Sequence, residues 1–157
     1  MSIQIFSIGT KVAPWSAVAF NEYQKRLPKT WRTSLIEVPA SKRLKGRCIE
    51  QLLELESEKL WQHSQHCAPN VTIALDRTGR SINSNKMAES LGAWVNKGCH
   101  VQFLIGGPEG MTESVLKKCT QVWSFSELTF PHPLVRVILI EQVYRAFCIN
   151  SNKTYHR

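Results

Sequence analysis

The residues best suited to build a ligand site are three glycines in the segment Phe103 to Gly110, which reads Phe-Leu-Ile-Gly-Gly-Pro-Glu-Gly. A short apolar run that stops at glycine is typical of a buried strand, and the glycines let the chain turn with only backbone lining the turn. In open parallel sheets, ligands bind at the carboxyl ends of strands, where backbone N–H and C=O groups can contact a small molecule closely. The alternative is a strand-to-helix turn without a ligand, with Pro108 in the first helical turn and Glu109 favoured by the helix dipole. The segment does not match G-x-G-x-x-G, so by itself it leaves both interpretations open.

A cluster of basic residues forms a second candidate site. The segment from Ser41 to Arg47 carries four cations around one glycine, and the chain has a formal net charge of +8, from 20 basic and 12 acidic residues. An excess of positive charge indicates a polyanionic partner such as nucleic acid, and a basic turn is a natural phosphate contact. A solvated turn explains the same residues equally well, and phosphate contacts do not read base sequence. The cations are Lys42, Arg43, Lys45 and Arg47.

The cysteines and histidines give no metal signature. The five cysteines are odd in number, widely spaced and never arranged as C-x-x-C, which is typical of reduced thiols in a cytosolic protein. His63, His66 and Cys67 do cluster, but no second cluster completes a four-ligand site, so we expect no metal. There is no signal peptide and no segment of membrane-spanning length, which predicts a soluble, cytoplasmic protein without a membrane partner.

Alternating strand-like and helix-like segments must position these residues. Apolar runs bounded by glycine or proline predict buried strands, and the amphipathic stretches between them predict helices. Because helices that join parallel strands make right-handed crossovers, this order predicts an α/β fold, with a mainly parallel sheet and helices on both faces, in one domain over residues 1–157. The predicted strands are Ile3–Ile8, Ser34–Val38, Val71–Leu75 and Val101–Ile105, and the predicted helices are Ser16–Arg26, Ile49–Trp61, Ser84–Lys97 and roughly Glu113–Lys118.

Two further segments complete the sequence-based prediction of the fold. Asp76 to Gly79 predicts a turn out of the third strand, and Val122 to Pro131 predicts an extended segment that brings a second apolar ledge to the glycines. The small polar side chains of that segment, Ser124, Ser126 and Thr129, either serve a ligand or satisfy nearby backbone groups.

Two predicted helices have contrasting surfaces. The last helix begins at Pro133, with His132 just before it, and from Leu134 to Ile140 its apolar side chains fall on every side. A helix that is apolar all round must be covered all round, and in so small a protein a second subunit is the simplest cover, so we expect a homodimer. The helix at Ile49–Trp61 instead carries acids that predict a solvated outer face: Glu50, Glu54, Glu56 and Glu58.

Several motifs form one long and specific signature. Leu104 to Gly110 is followed by Leu128 to Val137, by Glu141 to Phe147 and by the terminal Tyr155-His156-Arg157. With Gly9-Thr10-Lys11, Glu37-Val38-Pro39, and Leu75-Asp76 with Gly79, these motifs extend over essentially the whole chain. The chain resembles the RlmH family, which is the pseudouridine N3-methyltransferase branch of the SPOUT superfamily.

The resemblance implies a fold, a cofactor and a substrate. Members of this family form homodimeric α/β domains with a C-terminal trefoil knot and bind S-adenosylmethionine in the knot. They methylate N3 of the pseudouridine at position 1915 of 23S ribosomal RNA, so the implied partner is 23S rRNA in the large subunit or the 70S ribosome, and not DNA. Carried over by position, the residues that would line the cofactor pocket are Leu75, Gly106, Phe125, Ser126, Glu127, Leu128, Thr129 and Phe130.

The implied reaction requires a neutral, apolar donor pocket and an activated acceptor. The positive charge of a sulfonium disappears as its methyl group moves, so positioning by backbone groups suffices on the donor side. An imide nitrogen is a poor nucleophile until its proton leaves, so a base and cations near its carbonyls should lower the barrier. Four residues are candidates: Arg157 on phosphate or imide oxygen, His156 as proton acceptor, Tyr155 against the flipped base, and His132.

Alternatives to these roles remain at the sequence level. His132 could simply cap the last helix, and the tail could be a disordered terminus. Thr154 stands where many relatives carry proline or alanine, which leaves the path of the tail less defined. A ribosome-binding protein that keeps the fold without methyl transfer is a rival function. An enzyme of the dinucleotide-binding type is a weaker rival, because the first strand is not followed by G-x-G-x-x-G.

Overall fold

A five-stranded parallel sheet organises the protein, as seen in a computed structural model that describes residues 2–10, 13–43, 48–66 and 69–156, without the side chain of His156. The sheet order within these residues is β2-β1-β4-β3-β5, and every neighbouring pair is parallel. The predicted α/β class with a parallel sheet is therefore confirmed. The strands are β1 (Ile3–Ile8), β2 (Thr33–Val38), β3 (Val71–Ser81), β4 (Val101–Ile105) and β5 (Gln121–Ser124).

Helices cover both faces of the sheet, as predicted. One face packs against α1, α3 and α5 and the other against α2 and α4, which gives two apolar cores. In the described parts of the chain, no helix is both long enough and apolar enough to cross a bilayer. The helices are α1 (Pro14–Arg26), α2 (Ile49–Gln65), α3 (Ser84–Asn96), α4 (Glu113–Lys118) and α5 (His132–Asn150), with short 3-10 turns at Lys29–Trp31 and Thr154–His156.

The central strand β4 is buried along its whole length, because it lies between β1 and β3 and has helices on both sides. Successive side chains of a strand point to opposite faces. Phe103 accordingly belongs to the core under α1, α3 and α5, and Leu104 belongs to the core under α2 and α4. The carboxyl end of β4, at Ile105, pairs with Leu75 of β3, so both strands deliver the chain to the same edge of the sheet.

The structure corrects the prediction for the surroundings of β3. Asp76 to Gly79 is not a turn out of the sheet, since β3 continues to Ser81 with a register shift between Leu75 and Arg80. The segment after α4 is not merely extended, because Gln121–Ser124 joins the sheet beside β3. Gly79 lies so close to this new neighbour that a Cβ would sit 2.7 Å from the carbonyl carbon of Trp123. The fifth strand therefore needs a glycine here for close approach, not for a turn.

The predicted acidic outer face of α2 is confirmed for three of its four glutamates and wrong for the fourth. Glu50, Glu54 and Glu58 are exposed, but Glu56 is buried. The helix runs to Gln65, one turn past the predicted end at Trp61. The other predicted boundaries hold to within two residues, the range over which helix ends are commonly assigned differently. Strand order alone does not determine how the chain threads, and the trefoil knot implied by the resemblance stays a prediction.

Candidate functional site

A cavity of about 320 Å³ opens at the carboxyl ends of β3 and β4. This volume lies within the range of small-molecule sites in proteins. Its walls come from the end of β3, from the glycine turn, which we define as residues 106–110, and from the chain between β5 and the first turn of α5. The lining residues are Leu75, Asp76, Arg77, Ile105, Gly106, Gly107, Pro108, Glu109, Gly110, Trp123, Ser124, Phe125, Ser126, Leu128, Thr129, Phe130, His132 and Val135.

The glycine turn has no room for side chains at its first two positions. A Cβ on Gly106 would lie 2.5 Å from the carbonyl oxygen of Gly110, and a Cβ on Gly107 would overlap a carboxylate oxygen of Glu56. The Gly110 N–H donates to the Gly107 carbonyl at 2.9 Å, which closes the turn, and Gly110 has a φ of +85° that favours glycine. The alternative that Pro108 begins a helix is therefore wrong, because α4 starts only at Glu113.

The opposite wall combines apolar side chains with serines that hydrogen-bond its own backbone. The Ser124 hydroxyl donates to the Ser126 carbonyl at 3.1 Å, and the Leu128 N–H donates to the Ser126 hydroxyl at 2.9 Å. Both serines thus satisfy local backbone groups, which was one of the two roles left open for them. Behind this wall the buried Trp123 ring stacks on Trp94 with centroids 6.0 Å apart. A rigid apolar wall of this kind suits a flat ring.

The cavity also contains charge, so the predicted neutral pocket is wrong in part. One carboxylate oxygen of Asp76 accepts hydrogen bonds from the Thr78 N–H at 2.9 Å and hydroxyl at 2.7 Å, while the other oxygen faces Gly110. Glu109 forms a 3.0 Å ion pair with Arg43, so its charge is partly compensated. Asp76 is thus oriented towards a ligand that could offer a hydrogen-bond donor or a cation.

His132 lies at the cavity wall in the first turn of α5. Burial lowers the pKa of His132 below its ordinary value, and the Arg136 and Arg43 guanidinium groups act in the same direction. The Gly106 carbonyl and the charge of the Glu56 carboxylate oppose this shift, and the net result is a lowered pKa. The residue before it, Pro131, occupies the N-cap position and no side-chain cap is present, so the capping role considered for His132 is wrong. A neutral imidazole at the wall can act as a proton acceptor.

Tyr155 docks away from the cavity of its own chain. The Tyr155 hydroxyl lies 3.3 Å from the Tyr23 hydroxyl and 3.2 Å from the Glu141 carboxylate, and the Tyr155 ring packs edge-on against Tyr144. Burial, with these hydrogen bonds, raises the pKa of Tyr155, so the phenol keeps its proton at neutral pH. The side chain of His156 and the whole of Arg157 lie outside the described residues. Tyr155, the terminal residue whose side chain the structure describes, is therefore packed on its own chain and does not line the cavity.

Most residues predicted for the cofactor pocket surround this one cavity. Leu75 and Gly106 lie on one side, and five residues of the segment 125–130 lie on the other. Glu127 is exposed and does not line the cavity, unlike its neighbours Ser126 and Leu128. Of the predicted RNA contacts, Lys42 and Arg43 are exposed beside the glycine turn, and Lys45 and Arg47 lie outside the described residues.

Sequence reasoning missed several lining residues, notably Asp76, Trp123 and Val135. Asp76 follows a buried strand directly, which is a usable signal for a site residue at the sheet edge. Trp123 and Val135 carry no such signal, because their apolar side chains are indistinguishable from core residues in the sequence. Within the described residues, no group of three or more His, Cys, Asp or Glu side chains could hold a metal ion.

Comparisons with known proteins place the chain in a family. A family model described as "Predicted SPOUT methyltransferase" matches residues 1–156. Solved structures with a similar fold include a probable methylase family protein from Haemophilus influenzae Rd KW20, with 18% identity, a TM-score of 0.61, and coverage of 99% of this chain and 70% of that chain. A probable methyltransferase from Bordetella pertussis Tohama I has 11% identity, a TM-score of 0.59, and coverage of 92% and 93% respectively.

A third similar structure is the tRNA (m1G37) methyltransferase from Aquifex aeolicus, with 13% identity, a TM-score of 0.57, and coverage of 92% of this chain and 70% of that chain. At these identities the likeness to solved structures concerns the fold alone. The family match, in contrast, covers nearly the whole chain. The chain therefore belongs to the SPOUT methyltransferases, a family that generally takes its methyl group from S-adenosylmethionine.

Proposed function

We propose that this SPOUT methyltransferase belongs to the RlmH branch and methylates N3 of the pseudouridine at position 1915 of 23S rRNA, with S-adenosylmethionine as the methyl donor. The observation that carries the proposal is the cavity at the ends of β3 and β4. Seven residues that the RlmH resemblance assigns to the donor pocket surround this single cavity: Leu75, Gly106, Phe125, Ser126, Leu128, Thr129 and Phe130.

The residues of the cavity fit the proposed donor. The glycine turn offers bare backbone, where even one Cβ at Gly106 would meet the Gly110 carbonyl oxygen. Such a surface can grip ribose and amino-acid groups through N–H and C=O, while the wall at Phe125 and Phe130 takes the flat adenine. The bound donor supplies an electrophilic methyl group on a sulfonium. Asp76, with one free oxygen, would hold the donor's ammonium group or a ribose hydroxyl.

The acceptor nitrogen requires a base, and His132 is placed to provide it. Its imidazole lines the cavity, and its lowered pKa keeps it neutral at physiological pH. A neutral imidazole can take the N3 proton, which places negative charge on the flanking carbonyls. That charge is neutralised as the N–CH3 bond forms and the S–CH3 bond of the sulfonium breaks to leave a neutral thioether. Nearby cations, Arg77 at the cavity wall and Arg43 at its rim, would stabilise charge on those carbonyls.

The position of the tail supports a site that two subunits share. Tyr155 is held against α1 and α5, outside its own cavity. On α5 the apolar side chains of Leu134, Val137 and Ile138 are only half-buried in one chain, as expected for a helix that a second copy covers. We therefore propose a homodimer in which the tail of one subunit reaches the cavity of the other.

The substrate we propose is the ribosome, in preference to free RNA. Lys42 and Arg43 are exposed beside the cavity and suit phosphate contacts, which position RNA but do not select its sequence. Among the described residues there is no appended RNA-binding domain, and selectivity would have to come from the shape around the target. Naked 23S rRNA methylated as efficiently as ribosomes would contradict this part of the proposal.

The test is mass mapping of RNA from a strain that lacks the gene. We expect 23S rRNA to lose one methyl group at a pseudouridine, and complementation with the wild-type gene to restore it. Calorimetry with S-adenosylhomocysteine provides an independent arm, because a ribosome-binding protein without catalysis has no reason to bind it. If a methyl group were lost from tRNA instead, the protein would still be a methyltransferase, but the proposed substrate would be wrong. If neither 23S rRNA nor tRNA lost a methyl group, the proposed function would be wrong.

A further inference from the structure

One acid of α2 lies in an unusual environment. Glu56 is only 6% exposed, whereas Glu50, Glu54 and Glu58 on the same helix are exposed. A buried carboxylate loses its hydration and is destabilising unless its oxygens find partners. Glu56 does not line the donor cavity, and the core under α2 is apolar, so the hydrogen bonds and packing of the carboxylate must explain its burial.

The contacts of Glu56 join two segments of the site. One carboxylate oxygen accepts a 2.9 Å hydrogen bond from the Ser41 N–H, and the other packs directly against Gly107 of the glycine turn. The next residue, Ser57, accepts a 2.9 Å hydrogen bond from the Thr112 N–H, just beyond the turn. Helix α2 thus holds the glycine turn at both ends, and the same Glu56 side chain holds Ser41, which directly precedes the exposed cations Lys42 and Arg43.

The basic segment, which we define here as residues 39–43, is fixed at three points. Besides the contact at Ser41, Lys59 donates to the Pro39 carbonyl at 2.7 Å, and Arg43 pairs with Glu109 at 3.0 Å. The Arg43–Glu109 pair is largely exposed, and such pairs contribute little. Lys59 is itself only half-buried. The buried Glu56 carboxylate is therefore the firmest anchor of the segment.

We propose that Glu56 is a positioning residue for the RNA: its buried carboxylate fixes the basic segment beside the donor cavity, so that Lys42 and Arg43 meet the RNA phosphates at a set distance from the methyl donor. This inference rests on the proposed function. It assigns to an acid a favourable effect on the binding of a polyanion. Charge alone predicts the opposite, because removal of an acid from a basic protein should strengthen its binding to RNA.

The test compares Glu56→Ala, Glu56→Gln and Glu54→Gln. We expect Glu56→Ala to speed hydrogen exchange at the Ser41 amide and to raise the KM for ribosomes about tenfold, the effect of losing one buried hydrogen-bond partner, with kcat nearly unchanged. Glu56→Gln keeps an oxygen that can accept from Ser41 and should restore both measurements. Glu54→Gln removes the same charge from the exposed side of the same helix and should change neither.

Three results would overturn the inference. The first is hydrogen exchange at the Ser41 amide of Glu56→Ala that is as slow as in the wild type. The second is a KM of Glu56→Ala for ribosomes at or below that of the wild type. The third is a Glu56→Gln variant whose exchange rate and KM are the same as those of Glu56→Ala. Should Glu56→Ala fail to fold, Ser41→Pro removes the donor at the other end of the hydrogen bond and must raise the KM in the same way. Wild-type protein that transfers no methyl group to ribosomes would remove the proposed function, whereas the exchange measurement would still report on the anchor.

Discussion

The glycine turn and Glu56 depend on each other. A carboxylate can approach the backbone of residue 107 only because the residue is glycine, and that approach keeps the acid buried under the cavity. A side chain at position 107 would push against a packed neighbour, and small-to-large changes in packed sites are destabilising. The absence of a Cβ at this position is thus a packing requirement, and it also leaves the cavity wall bare.

This packing predicts a specific double-mutant cycle. Gly107→Ala should lower the free energy of unfolding by about 1–3 kcal/mol in the wild type. In a Glu56→Ala background the same change should be much less destabilising, because the atom that clashes with the new Cβ has been removed. Urea denaturation of the four proteins measures the coupling. If the two substitutions lowered the free energy of unfolding additively, the glycine at position 107 would not be required by its contact with Glu56.

His132 sets the expected pH dependence of methyl transfer. Its folded pKa lies below the ordinary value of 6.5, so the neutral form is present at pH 7 and is lost only as the pH falls below 6.5. Four groups contribute besides burial: Arg136 on its own helix, Arg43 on the basic segment, Glu56 on α2, and the Gly106 carbonyl. We expect kcat/KM to rise with pH through a midpoint below 6.5.

The matched variants for this prediction are His132→Asn and His63→Asn. His132→Asn should remove the acid limb of the kcat/KM profile and reduce the rate by about 10²–10⁴, the usual contribution of a general base. His63 is exposed on α2 and its replacement should leave the profile unchanged. A profile of His132→Asn with the wild-type acid limb would assign the proton to another acceptor, such as His156.

At the residue level the sequence predicted where a ligand could sit better than it predicted what charge the ligand would meet. Gly106 and the segment 125–130 can be predicted as site residues from the sequence, because the glycines and the family motif mark them. The sequence wrongly predicts Asp76 as a turn residue and Glu56 as a solvated acid. In the sequence, a carboxylate in a polar stretch has the same appearance whether it faces water or the interior. Burial depends on partners such as Ser41 and Gly107, which are far away in the sequence.

Among the elements, α5 is joined to the sheet by a buried arginine. Arg136 is 3% exposed, and its guanidinium donates to Glu37 on β2 at 2.7 Å and to Ser7 on β1 at 2.9 Å. It also donates to the carbonyls of Ile8 and Gly9 at 3.1 Å and 2.7 Å. These bonds fix the first turn of α5, and therefore His132, relative to the end of β1.

Loss of Arg136 should destabilise the whole fold. Arg136→Met leaves Glu37 and two carbonyls without their donor, and we expect the free energy of unfolding to fall by about 3–5 kcal/mol. Arg26→Met is the control, since Arg26 forms an exposed pair with Glu22 and should show no measurable change. Thermal and urea unfolding measure both variants. Equal stability of the two variants would mean that the buried network contributes nothing net.

The predicted elements were most accurate where strands are apolar throughout. Strands β1 and β4 have the predicted bounds, because their side chains are buried on both faces and glycine follows each closely. The sequence predicts only an extended segment where β5 forms, because the strand has four residues, among them Gln121 and Ser124, and the helix before it, α4, has only six. Its pairing with β3 is a tertiary contact that local pattern does not encode.

For the whole molecule, the shared site predicts complementation between subunits. A protein lacking residues 155–157 should bind S-adenosylhomocysteine normally but transfer no methyl group, because its cavity is intact and the tail is missing. A Gly106→Val protein should fail to bind the donor, because its side chain meets the Gly110 carbonyl. Neither homodimer should be active.

A mixed population of the two variants tests which subunit supplies the tail. In a heterodimer, the tail of the Gly106→Val subunit can reach the intact cavity of the truncated subunit, so part of the activity should return on mixing under subunit exchange. Activity that stays absent, in samples shown by native mass spectrometry to contain heterodimers, would place each tail in its own cavity. Light scattering that finds only monomer at micromolar concentration would remove the shared site altogether.

The central claim is that the cavity between the glycine turn and the segment 123–135 binds the methyl donor. A crystal structure with S-adenosylhomocysteine tests it most directly. We expect the compound in this cavity, with its backbone contacts at Gly106, its adenine against the wall formed by Phe125 and Phe130, and its thioether within reach of His132. The same compound bound elsewhere, with this cavity empty or collapsed, would contradict the claim.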